Sequence, residues 1–252
     1  MLVEDNDLHE NRENGADIKT CTRVTLRGNR IWGHRRSSTS GGEGVVVHMS
    51  ARDVTLEDND VRDNGRGIQI GGVRQGAPPT HIVLRRNRVF DGVNSDGSEG
   101  SGIRIDTAID VKVVHNTVWN MPTYGLVVGK GESGASEDVE VRNNILGGCA
   151  ALAVRVGTDW EGLSFDGNLY SPLGDAPTFR KDSRDQELST GRRARAGTPT
   201  PWRRLRDSWM PRRGTSGWRP PRPPVTPAWR WARTGAAGLR TWARGSRTAP
   251  EP

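Results

Sequence analysis

Five polar residues could do chemistry as a set: His48, Gln69, Arg104, Asp106 and Lys130. An imidazole or an amine can act as a general base, and a guanidinium neutralises an acid. An aspartate can orient either group or lend oxygen ligands to a calcium ion. The arrangement suits removal of a proton beside a carboxylate, with His48 or Lys130 as base, Arg104 as the cation and Asp106 in support. The competing reading is that outward polar residues on a solvated face need no function.

What positions these residues is a repeat. In Asp53–Ile70, Val54-Thr55-Leu56 and Ile68-Gln69-Ile70 alternate apolar and polar residues with the period of a strand, while Asn59 and Asn64-Gly65 mark turns. The phrase apolar-x-apolar-x-x-Asn-x-apolar recurs with its asparagine at 6, 29, 59, 87, 116, 144 and 168, spaced by 23, 30, 28, 29, 28 and 24 residues. Such a period predicts a solenoid of about seven coils with three strands each, all β. Alternate strand residues such as Val54, Leu56, Val61, Ile68 and Ile70 should stack inward. The asparagines Asn6, Asn29, Asn59, Asn87, Asn116, Asn144 and Asn168 should form a ladder of side-chain amides.

A second strand follows in each coil, as Gly44-Val45-Val46-Val47, Gly67-Ile68-Gln69-Ile70, Gly102-Ile103-Arg104-Ile105, Gly125-Leu126-Val127-Val128 and Ala151-Leu152-Ala153-Val154. The Gly-Ile-x-Ile and Val-x-Leu-x-x-Asn-x-Val phrases resemble the right-handed parallel β-helix repeat of pectate-lyase-like proteins over residues 1 to about 170. The resemblance implies an exported protein that binds or processes an extracellular polysaccharide, by lyase, epimerase or hydrolase chemistry on a uronic-acid-type polymer. A non-catalytic structural or adhesive solenoid is the alternative. Phrases that would select one activity are absent, among them Trp-Ile-Asp-His, Gly-His-Gly and Asp-Pro-His.

Loop lengths point to a place for the site. His34–Glu43 and Asp91–Ser101 are long before the Gly-Ile-x-Ile strands, and Gly71–Thr80 and Gly129–Asp138 are long after them. Long loops on both edges of one sheet predict a walled cleft with Val46, Gln69, Arg104 and Val127 on its floor. Three residues after each asparagine, His9, Trp32, Arg62, Phe90 and Trp119 share one outward register. Trp32, Phe90 and Trp119 could therefore stack on sugar rings or pack under neighbouring loops.

Charge and composition divide the chain into a β-helix over 1–175, a transition segment over 176–190 and a tail over 191–252. The tail has 15 Arg, 10 Pro and 6 Trp, with only Asp207 and Glu251 as acids, a net charge of +13. The whole chain is +7, so residues 1–190 carry 7 − 13 = −6, which argues against nucleic acid as a partner. The tail reads as disordered, either a basic arm or the product of a shifted reading frame in a GC-rich gene. No signal segment or membrane-spanning apolar run occurs, and no cofactor motif is evident beyond the calcium option at Asp106. The expected state is a monomer. Cys21 and Cys149 lie four rungs apart, roughly 19 Å along the axis, too far to pair, and read as small packing residues.

Overall fold

The computed structural model describes residues 1–72, 75–129, 134–158, 160–171, 173, 179–181 and 184–186, all in the first of two units, Met1–Ala194. Lys130 and the segment 191–252 lie outside the described residues. Strands form because each coil repeats the same alternation, and each strand pairs in parallel with its counterpart one coil away. Among the described residues there are three parallel sheets and no helix. The first sheet contains Thr22–Arg27, Arg52–Glu57, Thr80–Arg85, Ile109–Val114 and Ser136–Arg142. The second contains the short strands after each asparagine, such as Asp60–Arg62 and Arg88–Phe90. The third contains Glu43–His48, Arg66–Gly71, Ile103–Asp106, Tyr124–Val128 and Leu152–Val156. Five turns are enclosed by a coil on either side. The expected count of about seven is reached only by including a partial rung at each end.

The core is a bundle of vertical columns. Val24, Val54, Ile82, Val111 and Val139 stand in register in the first sheet, with Leu26, Leu56, Leu84, Val113 and Val141 beside them. Ile31, Val61, Val89, Val118 and Leu146 form the column of the second sheet. Val45, Ile68, Ile103, Leu126 and Val154 form one of two columns in the third. All are buried. Each fully buried aliphatic side chain contributes roughly 1.5–3 kcal/mol against the entropy of ordering its strand.

Corners follow two rules. The residue before every repeat asparagine is left-handed, with φ of 55° at Asp5, 65° at Gly28, 56° at Asp58, 55° at Arg86, 57° at His115, 55° at Asn143 and 61° at Gly167. Only two of the seven are glycine, so stacking of corner on corner outweighs a local penalty of about 1 kcal/mol per non-glycine residue. The glycine opening each Gly-Ile-x-Ile strand serves a different need. Gly44, Gly67, Gly102 and Gly125 have no positive φ, but a Cβ on Gly67 would stand 2.4 Å from both the Gly102 carbonyl oxygen and Val89 Cγ1. Glycine is required there because the next rung leaves no room.

The asparagines are joined from end to end. Each side-chain Nδ2 donates to the Oδ1 of the next, from Asn6 to Asn29 at 3.0 Å through Asn59, Asn87 and Asn116 to Asn144 and Asn168 at 2.9 Å. Each Oδ1 also accepts the backbone N–H of the preceding asparagine, as Asn87 Oδ1 does from Asn59 at 3.1 Å. From Asn29 onward the Nδ2 also donates to a carbonyl of the coil before, as Asn87 does to Leu56 at 2.8 Å. Buried amides of Asn59, Asn87, Asn116 and Asn144 are thereby satisfied.

Around this column the surface charge alternates by coil. Glu4, Asp5 and Asp7 surround Asn6, Arg27 and Arg30 flank Asn29, Glu57, Asp58 and Asp60 surround Asn59, and Arg85, Arg86 and Arg88 surround Asn87. Ion pairs link successive coils, including Arg30 with Asp7 at 3.1 Å, Arg85 with Glu57 at 2.6 Å, Arg86 with Asp58 at 2.8 Å, and Arg88 with Asp60. The alternation stops at Asn116, which is flanked by Val114, His115 and Thr117.

The parallel stack extends past residue 175: Phe179–Lys181 pairs with the strand ending at Val156, and Arg184–Gln186 then returns antiparallel. Phe179 is buried against Phe165, edge to face with ring centres 5.6 Å apart. Both cysteines are free, but only Cys149 packs inside; Cys21 is exposed, contrary to expectation, because it precedes its strand at an open corner. Burial pushes the Cys149 thiol up to about 11.

Candidate functional site

The third sheet carries a trough. Val46, Gln69, Arg104 and Val127 occupy one outward column across four rungs. A cavity of about 620 Å³ is floored by Gln69, Arg104 and Asp106, with Arg66 beside them and Arg36, Gly97, Ser98 and Glu99 from the wall loops. A second cavity, of about 400 Å³, lies over Val46 and His48 with Glu43 and the 37–40 loop at its side. Arg36, Gly41, Arg66 and Gln69 line both, so the two make one elongated depression along the helix axis. Val127, expected on the same floor, lines neither cavity and has no solvent exposure.

The two entering loops, 34–43 and 91–101, form one wall because they are bonded to each other and to the coil. Arg36 donates its backbone N–H to Asp96 Oδ2 at 2.9 Å and its Nη1 to the Gly97 carbonyl at 2.8 Å. Val93 N–H reaches the Asn64 carbonyl at 2.9 Å, and Gly100 N–H the Gly65 carbonyl at 2.8 Å. Desolvation raises the Asp96 pKa, but donation from the Arg36 and Ser98 N–H groups outweighs it and the carboxyl titrates below its usual value.

A chain of alternating charges runs along the floor. Glu43 Oε1 pairs with Arg66 Nη1 at 2.9 Å, and Arg66 Nε lies 3.5 Å from Glu99 Oε2. Glu99 also pairs with Arg104 Nη1, and Arg104 Nε pairs with Asp106. Arg66 Nη1 further donates to Gln69 Oε1 at 3.0 Å, and Ser40 Oγ donates to Glu43 Oε2 at 2.6 Å. Burial works to lower the Arg104 pKa, but the carboxylates of Asp106 and Glu99 prevail and hold it raised. Its side chain is only 13% exposed.

The structure therefore brings together Gln69, Arg104 and Asp106, with a difference in role. Arg104, expected to hold an incoming acid, is already engaged by two carboxylates of its own chain. His48 faces the adjoining cavity, but its Nε2 lies 2.6 Å from Asp17 Oδ1, and its Nδ1 is enclosed with no partner. Neither ring nitrogen is presented to the trough as a base would be. Lys130, the other candidate base, lies outside the described residues. Among the described residues no three His, Cys, Asp or Glu side chains gather as a metal-binding set.

Sequence reasoning missed Arg36, Glu43, Arg66, Glu99 and Asp17. Glu43 and Arg66 each precede the glycine of a Gly-Ile-x-Ile strand and pair in register, a signal that could have been read. Glu99 and Arg36 sit in loops whose paths the repeat does not specify.

The aromatic register exists, but on the second sheet and away from the floor. His9, Trp32, Arg62, Phe90 and Trp119 align rung by rung. The His9 and Trp32 rings stack with centres 4.7 Å apart and planes 5° from parallel, and Arg62 lies over Trp32 at 5.2 Å. Trp32 donates Nε1–H to Asp7 Oδ1 at 2.7 Å. Its neighbours occupy both ring faces, which leaves an edge outward. Trp119 lies against Gly147 and Gly148, where an added Cβ would fall 2.5 Å and 3.1 Å from its ring.

A comparison with curated proteins finds no match. Among solved structures, the periplasmic alginate epimerase AlgG is similar, with TM-score 0.54 and 15% identity over 69% of this chain and 39% of that one. The Azotobacter vinelandii mannuronan C-5 epimerase AlgE4 A-module is similar with TM-score 0.44 and 16% identity, over 72% of this chain and 57% of that one. The chain thus spans less than two thirds of either. The likeness to AlgG is one of fold, three sheets of stacked parallel strands. The family described as right-handed β-helix region matches residues 1–166, and this chain belongs to it.

Proposed function

We propose that this right-handed β-helix binds an extracellular or periplasmic polysaccharide of the uronic-acid type along the trough of its third sheet. The observation that carries the reading is the shape of the depression. Two cavities of about 620 and 400 Å³ share Arg36, Gly41, Arg66 and Gln69 and run with the axis, a form suited to a linear polymer rather than a compact ligand. The polar lining of charged pairs, amide and hydroxyl groups suits hydroxyl-rich rings. The name of AlgG, a periplasmic alginate epimerase of the same fold, supports both the ligand class and an exported location.

Binding is better supported than turnover. Proton abstraction beside a carboxylate needs an accessible base, and His48 has one nitrogen on Asp17 and the other enclosed. Processing by lyase, epimerase or hydrolase chemistry is a second reading, favoured by the carboxylates Glu99 and Asp106 beside the trough. The test is a binding titration against a panel of anionic polysaccharides with wild type and Ser38→Trp, which fills the smaller cavity from an exposed loop. Binding that Ser38→Trp weakens supports the trough. Absence of binding across the panel favours a structural or adhesive solenoid. The same panel assayed for unsaturated products, new reducing ends and altered sugar configuration separates binding from processing.

A further inference from the structure

We propose that Arg36 sets the charge selectivity of the trough by holding the carboxylate of an acidic sugar, an inference that rests on the polysaccharide reading above. Three described arginines line the depression, and two of them are neutralised from within. Arg66 is held by Glu43 at 2.9 Å and Glu99 at 3.5 Å, and Arg104 by Glu99 and Asp106. The Arg36 guanidinium has one bond, from Nη1 to the Gly97 carbonyl at 2.8 Å, and no carboxylate partner. Nε and Nη2 remain to meet a ligand.

Its placement is as informative as its freedom. The bond to Gly97 and the backbone bond to Asp96 fix the side chain across two wall loops, so a guanidinium at the rim is held ready before a ligand arrives. Arg36 lines both cavities, where a polymer passing from one to the other must go by. A planar guanidinium with its Nε–Nη2 edge free matches a carboxylate in geometry as well as charge. Its neighbour Arg35 offers an internal control, because that guanidinium is committed to Asp63 at 3.0 Å.

The experiment compares binding of an oligouronate with that of its carboxyl-reduced, neutral counterpart. Wild type is expected to prefer the acid form by on the order of tenfold to a hundredfold, the range of one charge-assisted paired contact. Arg36→Ala should abolish that preference, weakening binding of the acid form far more than that of the reduced oligomer, Arg36→Lys should restore part of it, and Arg35→Ala should keep it. Preference retained in Arg36→Ala, or absent from wild type that binds both forms, overturns the assignment and leaves the polysaccharide reading intact. Wild type that binds neither form overturns both.

Discussion

Replacing Asn87 by alanine tests how the column of asparagines supports the coils. The wild-type side chain is buried and takes part in four bonds: it accepts from Asn59 N–H at 3.1 Å and Asn59 Nδ2 at 2.9 Å, and donates to Leu56 carbonyl at 2.8 Å and Asn116 Oδ1 at 3.0 Å. Two of the four partners have a second bond to fall back on. Asn59 Nδ2 still donates to the Leu26 carbonyl, and Asn116 Oδ1 still accepts the Asn87 backbone N–H. The Leu56 carbonyl lies within a strand paired on both sides and loses one of its donors, whereas the Asn59 N–H has no such substitute. Stranding a buried polar group costs about 1–3 kcal/mol, so Asn87→Ala should cost roughly 2–5 kcal/mol, a large part of the typical 5–15. Asn6→Ala is the control, since Asn6 is exposed and its Oδ1 accepts nothing from the chain; it should cost less than about 1 kcal/mol. Urea titration followed by circular dichroism reads both, as a midpoint shift at constant slope. Equal costs for the two variants, or less than about 0.5 kcal/mol for Asn87→Ala, would refute the accounting.

Further predictions concern single positions. Gly67→Ala should destabilise by about 1–3 kcal/mol or prevent folding, because its Cβ meets a backbone carbonyl that cannot turn aside; thermal denaturation checks it. His115→Gly relieves a left-handed φ of 57° and should stabilise by about 0.5–1 kcal/mol, net of the flexibility glycine adds to the unfolded chain. His34 is fully buried, and burial lowers its pKa below the usual imidazole value. The unfolded chain therefore takes up this proton first, so stability should fall as pH drops below about 6.5 and level off only beneath the folded pKa. His34→Gln should flatten that part of the stability–pH curve. Arg104→Ala removes the cation shared by Glu99 and Asp106, while Glu99 keeps Arg66 at 3.5 Å, and should cost about 1.5–3 kcal/mol, read by urea titration.

The fold was legible because the repeat states it many times over. Val54, Leu56, Val61, Ile68 and Ile70 are buried as their alternation requires, and one asparagine per coil sets the frame. The site was legible only where it borrows that frame. Gln69 and Arg104 sit on strands, so their outward register follows from periodicity. What Arg104 touches depends on Glu99, which arrives from a loop with no repeat to fix its path. The aromatic residues were placed correctly by register, but register does not say how a ring is turned. Stacking along the axis at 4.7 Å aligned His9 and Trp32 with one another instead of facing solvent.

The alternation of acid and base from coil to coil acts as a parity rule on changes in length. Loss of the coil around Asn59 alone would bring Arg27 and Arg30 directly against Arg85 and Arg88, turning every attractive pair at that step into a repulsive one. Loss of the coils around Asn29 and Asn59 together would instead set Glu4 and Asp7 beside Arg85 and Arg88 and preserve the sign. In the charged half of this solenoid, growth and shrinkage are favoured in steps of two coils, whereas beyond Asn116 single coils can be gained or lost without that penalty.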